Sequence, residues 1–162
     1  MSPDMCVPCG DGIVNIHVGA LIARGGKFLM VANDNLQHVY TVGGRIKMGE
    51  TAEEAIVREV FEETGVRMTV DRLAFVHENY FTLPHTVRPD EDVYELAFIF
   101  IMLPPPAFEI DPAVHTDLVS GEYLTWVAPD DPRRVYPGFF RTDALDVPPG
   151  VTFYSTDDRI RR

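Results

Sequence analysis

Cysteine is nearly absent from this chain of 162 residues: there are two, Cys6 and Cys9, spaced C-x-x-C. Two thiols cannot staple a small disulfide scaffold, and a structural zinc site needs two further Cys or His ligands. The nearest histidine, His17, lies in an alternating apolar stretch. A redox C-x-x-C opens a helix after a strand, whereas Pro8 and Gly10 surround this pair. Both read as plain thiols in a loosely ordered N-terminal segment, residues 1–11, suited to a reducing compartment. Positive charge is also short. The 14 Lys and Arg face 25 Asp and Glu, a formal net charge of −11. Such a surface repels nucleic acid and anionic membranes, so neither is an expected partner. No apolar run approaches a membrane span, and no basic-then-apolar signal pattern opens the sequence, so the expected location is the cytoplasm. Repeats, low-complexity tracts and long linkers are missing as well.

What remains is an ordinary globular composition, 46% hydrophobic and 24% charged, in a length that fits one domain spanning residues 1–162. Ile13 to Ile22 reads as a strand, Arg24-Gly25-Gly26-Lys27 as a hairpin turn, and Phe28 to Ala32 as the partner strand. A short strand from Val39 to Val42 runs into Gly43-Gly44. Thr51 and Glu54 form a capping-box pattern that opens a helix, and Gly65 suits its left-handed C-cap. Val66 to Val70, Leu73 to Phe81, Val93 to Leu103 and Tyr123 to Val127 read as strands, with a loop from Pro84 to Asp92. A short helix is expected around Pro137 to Leu145. One strong helix among many strands predicts an α+β fold.

The segment Gly43 to Val66 holds six glutamates. At about 100° per residue, Glu59, Glu62 and Glu63 share one helical face. A solvated face would interleave Lys or Arg there. Here the arc is shared with Ala52 and Ala55, while Val57, Val60 and Phe61 occupy the other side, where burial is expected. Hard divalent cations take oxygen ligands and bridge carboxylates to phosphates. Such a cation also resolves the charge problem that an acidic protein has with an anionic substrate. Gly43-Gly44 lets backbone approach metal or phosphate closely. Arg58, at helical spacing from Glu54 and Glu62, can hold Glu62 in place.

The segment resembles the Nudix box of the MutT-like Nudix hydrolases, G-x5-E-x7-R-E-U-x-E-E-x-G-U with U a bulky aliphatic. Gly44, Glu50, Arg58, Glu59, Val60, Glu62, Glu63, Gly65 and Val66 fill every fixed position. One departure is Val42, where family members commonly carry Pro. The resemblance implies a mixed β-sheet sandwiched between α-helices. It implies Glu59 and Glu63 as metal ligands, Glu62 as a ligand or water-mediated support, and the Gly43 carbonyl as completing the site. Glu50 and Arg58 would be structural, with Gly44 and Gly65 shaping the loop and the cap. The ion would be Mg²⁺, with Mn²⁺ as the alternative. The implied reaction is attack of water on a phosphorus of a nucleoside diphosphate linked to another group: a nucleotide sugar, ADP-ribose or a nucleoside triphosphate.

The general base is either a box glutamate, Glu59 or Glu62, or one outside it. Glu95, just inside an apolar strand, is the first outside candidate, ahead of Glu78, Glu91 and Glu122. Arg24, Arg45 and Lys47 are candidates for phosphate contact, with Arg45 and Lys47, in the box loop, ahead of Arg24. Tyr80, Phe81, Tyr40 and Trp126 are aromatics that could stack on a base, although strand aromatics more often serve the core. His17, His77, His85 and His115 show no ligand spacing. A non-catalytic nucleotide-sensing module on the same scaffold is the alternative, as is an isomerase. The tail from Pro129 either shapes the pocket or supports a homodimer.

Overall fold

The computed structural model describes residues 2–83, 91–110, 115–117 and 121–159. Within them the elements run β1 (Cys6–Cys9), β2 (Gly12–Leu21), β3 (Ala23–Arg24), β4 (Lys27–Asn33), β5 (His38–Arg45) and α1 (Ala52–Thr64). There follow β6 (Thr69–Thr82), β7 (Asp92–Leu103), β8 (His115–Asp117), β9 (Glu122–Val127), β10 (Arg134–Tyr136), α2 (Phe140–Asp143) and β11 (Thr152–Asp158). The expected loop from Pro84 to Asp92, with His85, falls largely outside the described residues, as does the side chain of His115.

The main path of the mixed sheet is β11-β6-β7-β2-β5-β4-β9-β8, with β1 on β2, β3 on β4 and β10 on β5. Its central strands are buried on both faces, which explains their near-continuous apolar runs. Along β4, Leu29 and Val31 enter one core while Phe28, Met30 and Ala32 enter the other. This is the two-residue alternation of a pleated strand. The first core lies under α1, where Ala55, Ile56 and Val60 meet Val18, Ala20, Val42 and Phe100. The second is closed by Phe140 and Ala144 of the α2 region. The expected sandwich is therefore present, with a helix of only four residues on one side.

The helix begins and ends where its local signals place it. Thr51 and Glu54 cap one another reciprocally, and Gly65 adopts φ 70° with its N–H bonded to Phe61. The assignment of its faces needs correction. Ala55 is fully buried and Phe61 is 42% exposed, with the Arg67 guanidinium over its ring. The acidic arc is therefore not shared with Ala55, and Phe61 lies outside the core. The helix presents Ala55, Ile56 and Val60 to the sheet because small and branched side chains allow close approach there.

Three pairings were not expected. The N-terminal segment is hydrogen-bonded rather than loose: β1 pairs antiparallel with β2, and Met5 N–H donates to the Ile46 carbonyl at 2.7 Å. Cys6 and Cys9, three apart on a strand, point to opposite faces, and both are free thiols. β10 runs parallel to the start of β5, and β11 runs parallel to β6 from Phe75 to Phe81.

Candidate active site

Arg58 organises the acidic face. Its Nε and Nη2 donate to the two oxygens of Glu50 at 2.6 and 2.9 Å. Nη1 donates to Glu59 at 2.5 Å and to Glu62 at 3.2 Å, and Nη2 also reaches the Arg45 carbonyl at 3.0 Å. Glu50 further accepts the Lys47 N–H at 3.0 Å. The Arg58 hydrogen bonds, above all, hold the Glu50 carboxyl down at about 2, and the carboxylates push Arg58 upward. One planar fork thus ties the loop after β5 to the middle of α1.

The glycine pair sets the closeness of approach. At Gly43, φ is 150° and a Cβ would stand 2.1 Å from the Val18 carbonyl oxygen. At Gly44 a Cβ would stand 2.5 Å from the Glu59 carboxylate. Gly43 has no room for a side chain, and Gly44 could take one only if the Glu59 carboxylate moved, so β5 lies directly against the carboxylate face of α1.

Glu63 sits beneath this surface. One oxygen accepts the Gly43 N–H at 3.4 Å; the other is fully shielded and has no hydrogen-bond partner. Burial, the backbone bond notwithstanding, raises its carboxyl to about 8, with Glu59, Glu122 and Glu62 adding to the rise. The helix adds its own penalty, because its last turn has no basic residue while Glu62 and Glu63 stand at its negative end. Among the described residues no three His, Cys, Asp or Glu side chains converge to grip a cation as they stand. Arg58 draws Glu59 and Glu62 to itself, and Glu63 turns to Gly43. The donor set nonetheless fits a hard cation: an orphaned buried carboxylate oxygen, two further carboxylates, and backbone free of Cβ atoms beside them.

Two hollows meet here. One, about 480 Å³, is lined by Gly44, Arg45, Lys47, Arg58, Glu59, Glu62 and Glu95, with Asn15 and Phe81 among the others. Most of the residues singled out from sequence are thus brought to one groove. Glu95 faces it from β7, and Asn15 on β2 donates to its Oε2 at 2.7 Å. The second hollow, about 450 Å³, lies on the sheet face away from α1 and shares His17 and Glu95 with the first. Its floor is made of alternate residues of five adjacent strands: Thr41 and Gly43, His17 and Gly19, Glu95 and Ala97, His77 and Asn79, Tyr154 and Thr156. Small residues at Gly19, Gly43 and Ala97 create the depth. Tyr136 to Phe139 form the opposite wall, and Phe139 stacks on Tyr154 at 4.0 Å between ring centroids.

Other candidates stand elsewhere. The Tyr80 ring contacts Tyr94 at 5.0 Å and lies under Arg159 at 4.6 Å, and it lines neither hollow. Trp126 packs against the α1 core, edge-on to Phe108. Tyr40 lines the second hollow and donates to Glu122 at 2.5 Å. Sequence reasoning did not find Asn15, Asn79 or Thr156. The only local signal available was a polar residue at a core-facing position of an apolar strand, as at Asn15, which is 6% exposed.

Comparison with known proteins agrees with this architecture. A MutT-like protein of Streptomyces ambofaciens is 34% identical over 61 residues, 38% of this chain and 40% of that one. A putative 8-oxo-dGTP diphosphatase of Bacillus subtilis is 40% identical over 52 residues, 32% of each chain. These matches span well under half the length of either relative. The crystal structure of a MutT protein from Bacillus halodurans has the same fold, with a TM-score of 0.60 at 18% identity over 88% of this chain and 90% of that one. The family model of the NUDIX domain matches residues 15–142, and with the box on β5 and α1 inside that range the chain belongs to the Nudix family.

Proposed function

We propose that the chain is a single-domain, cytoplasmic pyrophosphohydrolase that cleaves the diphosphate linkage of a small nucleotide-like molecule, using a divalent cation held by α1. The observation that carries this reading is the Glu63 oxygen, shielded and without a partner inside a cluster of carboxylates at the negative end of a helix. Left uncompensated, that arrangement is unfavourable three times over, through burial, like charge and the helix dipole. Glu59, Glu62, Glu63 and the Gly43 carbonyl would hold Mg²⁺, or Mn²⁺ in its place. When bound, such a cation neutralises the diphosphate and acidifies a coordinated water.

The remaining work belongs to the chain's own groups. Glu59 and Glu62, bonded to Arg58 as they stand, would hold the cation, while the bidentate bond from Arg58 to Glu50 would keep loop and helix joined. Arg45 and Lys47 face the same groove and supply positive charge to phosphate oxygens. Glu95, fixed by Asn15 on the facing strand, takes the proton of the attacking water. The products are a nucleoside monophosphate and the phosphorylated remainder, or pyrophosphate when the remainder is itself phosphate. Positioning and charge compensation account for most of the rate in such reactions. The second hollow, opening beside Gly43 and Glu95, takes the nucleoside. Nucleotide sugars, ADP-ribose and nucleoside triphosphates all fit this description. The diphosphatase named among the relatives supports the reaction class, and the net charge of −11 favours a small substrate over nucleic acid.

The test is a panel of these three substrate classes with Mg²⁺ or Mn²⁺ and identification of the products. Cation-dependent release of a nucleoside monophosphate is expected. Glu62→Gln and Glu63→Gln should each lower turnover by two or more orders of magnitude while the fold persists. Full activity in both would remove the assignment.

A further inference from the structure

One stretch of the sheet serves neither core. α1 lies mainly over β5 and β2. Beyond it, on the same side, β1, β2, β7, β6 and β11 run as adjacent strands. Their register aligns side chains in rows. Val14, Tyr94 and Tyr80 stand side by side, with Val7 at the β1 end. Phe98 and Val76 form a second row that ends on Phe153 of β11. Leu96 and Glu78 lie between the rows. The two sides of β7 differ sharply: Val93, Ala97 and Ile99 are buried, whereas Tyr94, Leu96 and Phe98 are half-buried. Val7 is 53% exposed and Phe153 59%. Of these rows only Phe98 packs against the α1 core.

Charge and size say what covers this face. In a chain of net charge −11 it carries Glu78 within it, and on its rim Asp157, paired with Arg159 at 2.7 Å. It therefore selects no partner by charge. It does bring its own complement. Among the described residues Glu78 accepts no hydrogen bond, and the Tyr80 and Tyr94 hydroxyls donate none. A two-fold axis near Leu96 sets the tyrosines of each copy against Glu78 of the other. A purely apolar partner would bury Glu78 unpaired, at a cost. Five strands span roughly 20 Å, and seven residues along them about as much again. Side-chain relief brings the accessible area toward the roughly 600–800 Å² per partner of a small stable interface.

We propose that this face is the interface of a homodimer, in which two copies pack sheet against sheet through Leu96, Phe98, Val76 and Phe153. None of the residues in these rows lines either hollow, so both sites stay open in each copy. The copies repel as wholes and attract through a nearly neutral face. Salt screens the repulsion and leaves the apolar contact.

Sedimentation equilibrium of the full chain over a concentration series tests this. A monomer–dimer equilibrium in the micromolar range is expected, and it should tighten as NaCl rises from about 0.05 to 0.5 M. Phe153→Glu, at a position already exposed, should weaken the dimer by about ten-fold or more. Leu96→Lys should abolish it, with melting curves confirming that both variants fold. Phe61→Glu alters an exposed aromatic outside this face, and should leave the equilibrium as it was. A monomer at every concentration overturns the proposal. So does a dimer as tight in both Phe153→Glu and Leu96→Lys as in the native protein, and so does one that salt dissociates, because ion pairs elsewhere would then hold it.

Discussion

Arg58 grips Glu50 through two parallel hydrogen bonds, Nε to Oε1 and Nη2 to Oε2, across eight residues of sequence. The pair is about four-fifths buried, which makes it stronger than the usual surface ion pair. Glu50→Gln should destabilise the protein at pH 7 by about 1–3 kcal/mol, read from denaturant unfolding. The carboxyl of Glu50 is depressed to about 2 in the folded protein, from an ordinary value near 4.5. Its contribution is therefore complete above about pH 4.5 and is lost as the pH falls toward 2. The native protein and Glu50→Gln should converge in stability over that window. A constant difference down to pH 2 would show that the loss comes from packing.

Glu63 runs the opposite way. Its carboxyl is raised to about 8 on folding, so the folded chain holds a proton that the unfolded chain has released. Cation-free protein should lose stability as the pH rises from about 4.5 to 8, and level off above that. Glu63→Gln should flatten this slope and be the more stable protein at pH 8 without cation. With Mg²⁺ the order should reverse, because the native protein gains binding energy that the variant lacks. A thermal-shift series across pH, with and without Mg²⁺, reads both effects. An equal response of the two proteins to Mg²⁺ would exclude Glu63 as a ligand.

Gly44→Ala tests the contact between β5 and α1. The added methyl would lie 2.5 Å from the Glu59 carboxylate, which is the mobile end of a side chain. The protein should fold with little loss, while Glu59 shifts and turnover drops by about a hundred-fold. Gly43→Ala meets the Val18 backbone at 2.1 Å instead, and should cost stability of about 3 kcal/mol or more. Melting curves beside steady-state rates separate the two.

Asn15→Ala removes the donor that fixes Glu95 on the facing strand. If Glu95 takes the proton, kcat should fall by at least ten-fold with KM nearly unchanged, because substrate contacts remain. A rise in KM alone would assign Glu95 to substrate binding.

The helix and its box were legible because their determinants are local. Thr51, Glu54 and Gly65 lie within one helix length of what they cap. Arg58 was expected to hold Glu62, and does, but its stronger grip on Glu50 depends on how the loop folds back. The faces of α1 were misjudged at Ala55 and Phe61, where the sheet's closeness outweighs side-chain size. The far wall was illegible for a different reason. β11 meets β6 77 residues back along a parallel register, Thr152 beside Phe75, and nothing in Thr152–Asp158 announces its partner. Asn79 and Thr156 look like ordinary strand residues until that register puts them side by side.

The parallel seam between β6 and β11 also divides labour along the chain. The groups proposed to hold the cation come from the stretch between β5 and the end of α1, whereas the far side of the second hollow comes from two strands outside it. Substitutions in the last strand should therefore reshape that hollow without displacing the carboxylates of α1. The shape of that hollow can thus diverge within one scaffold through changes along a single edge.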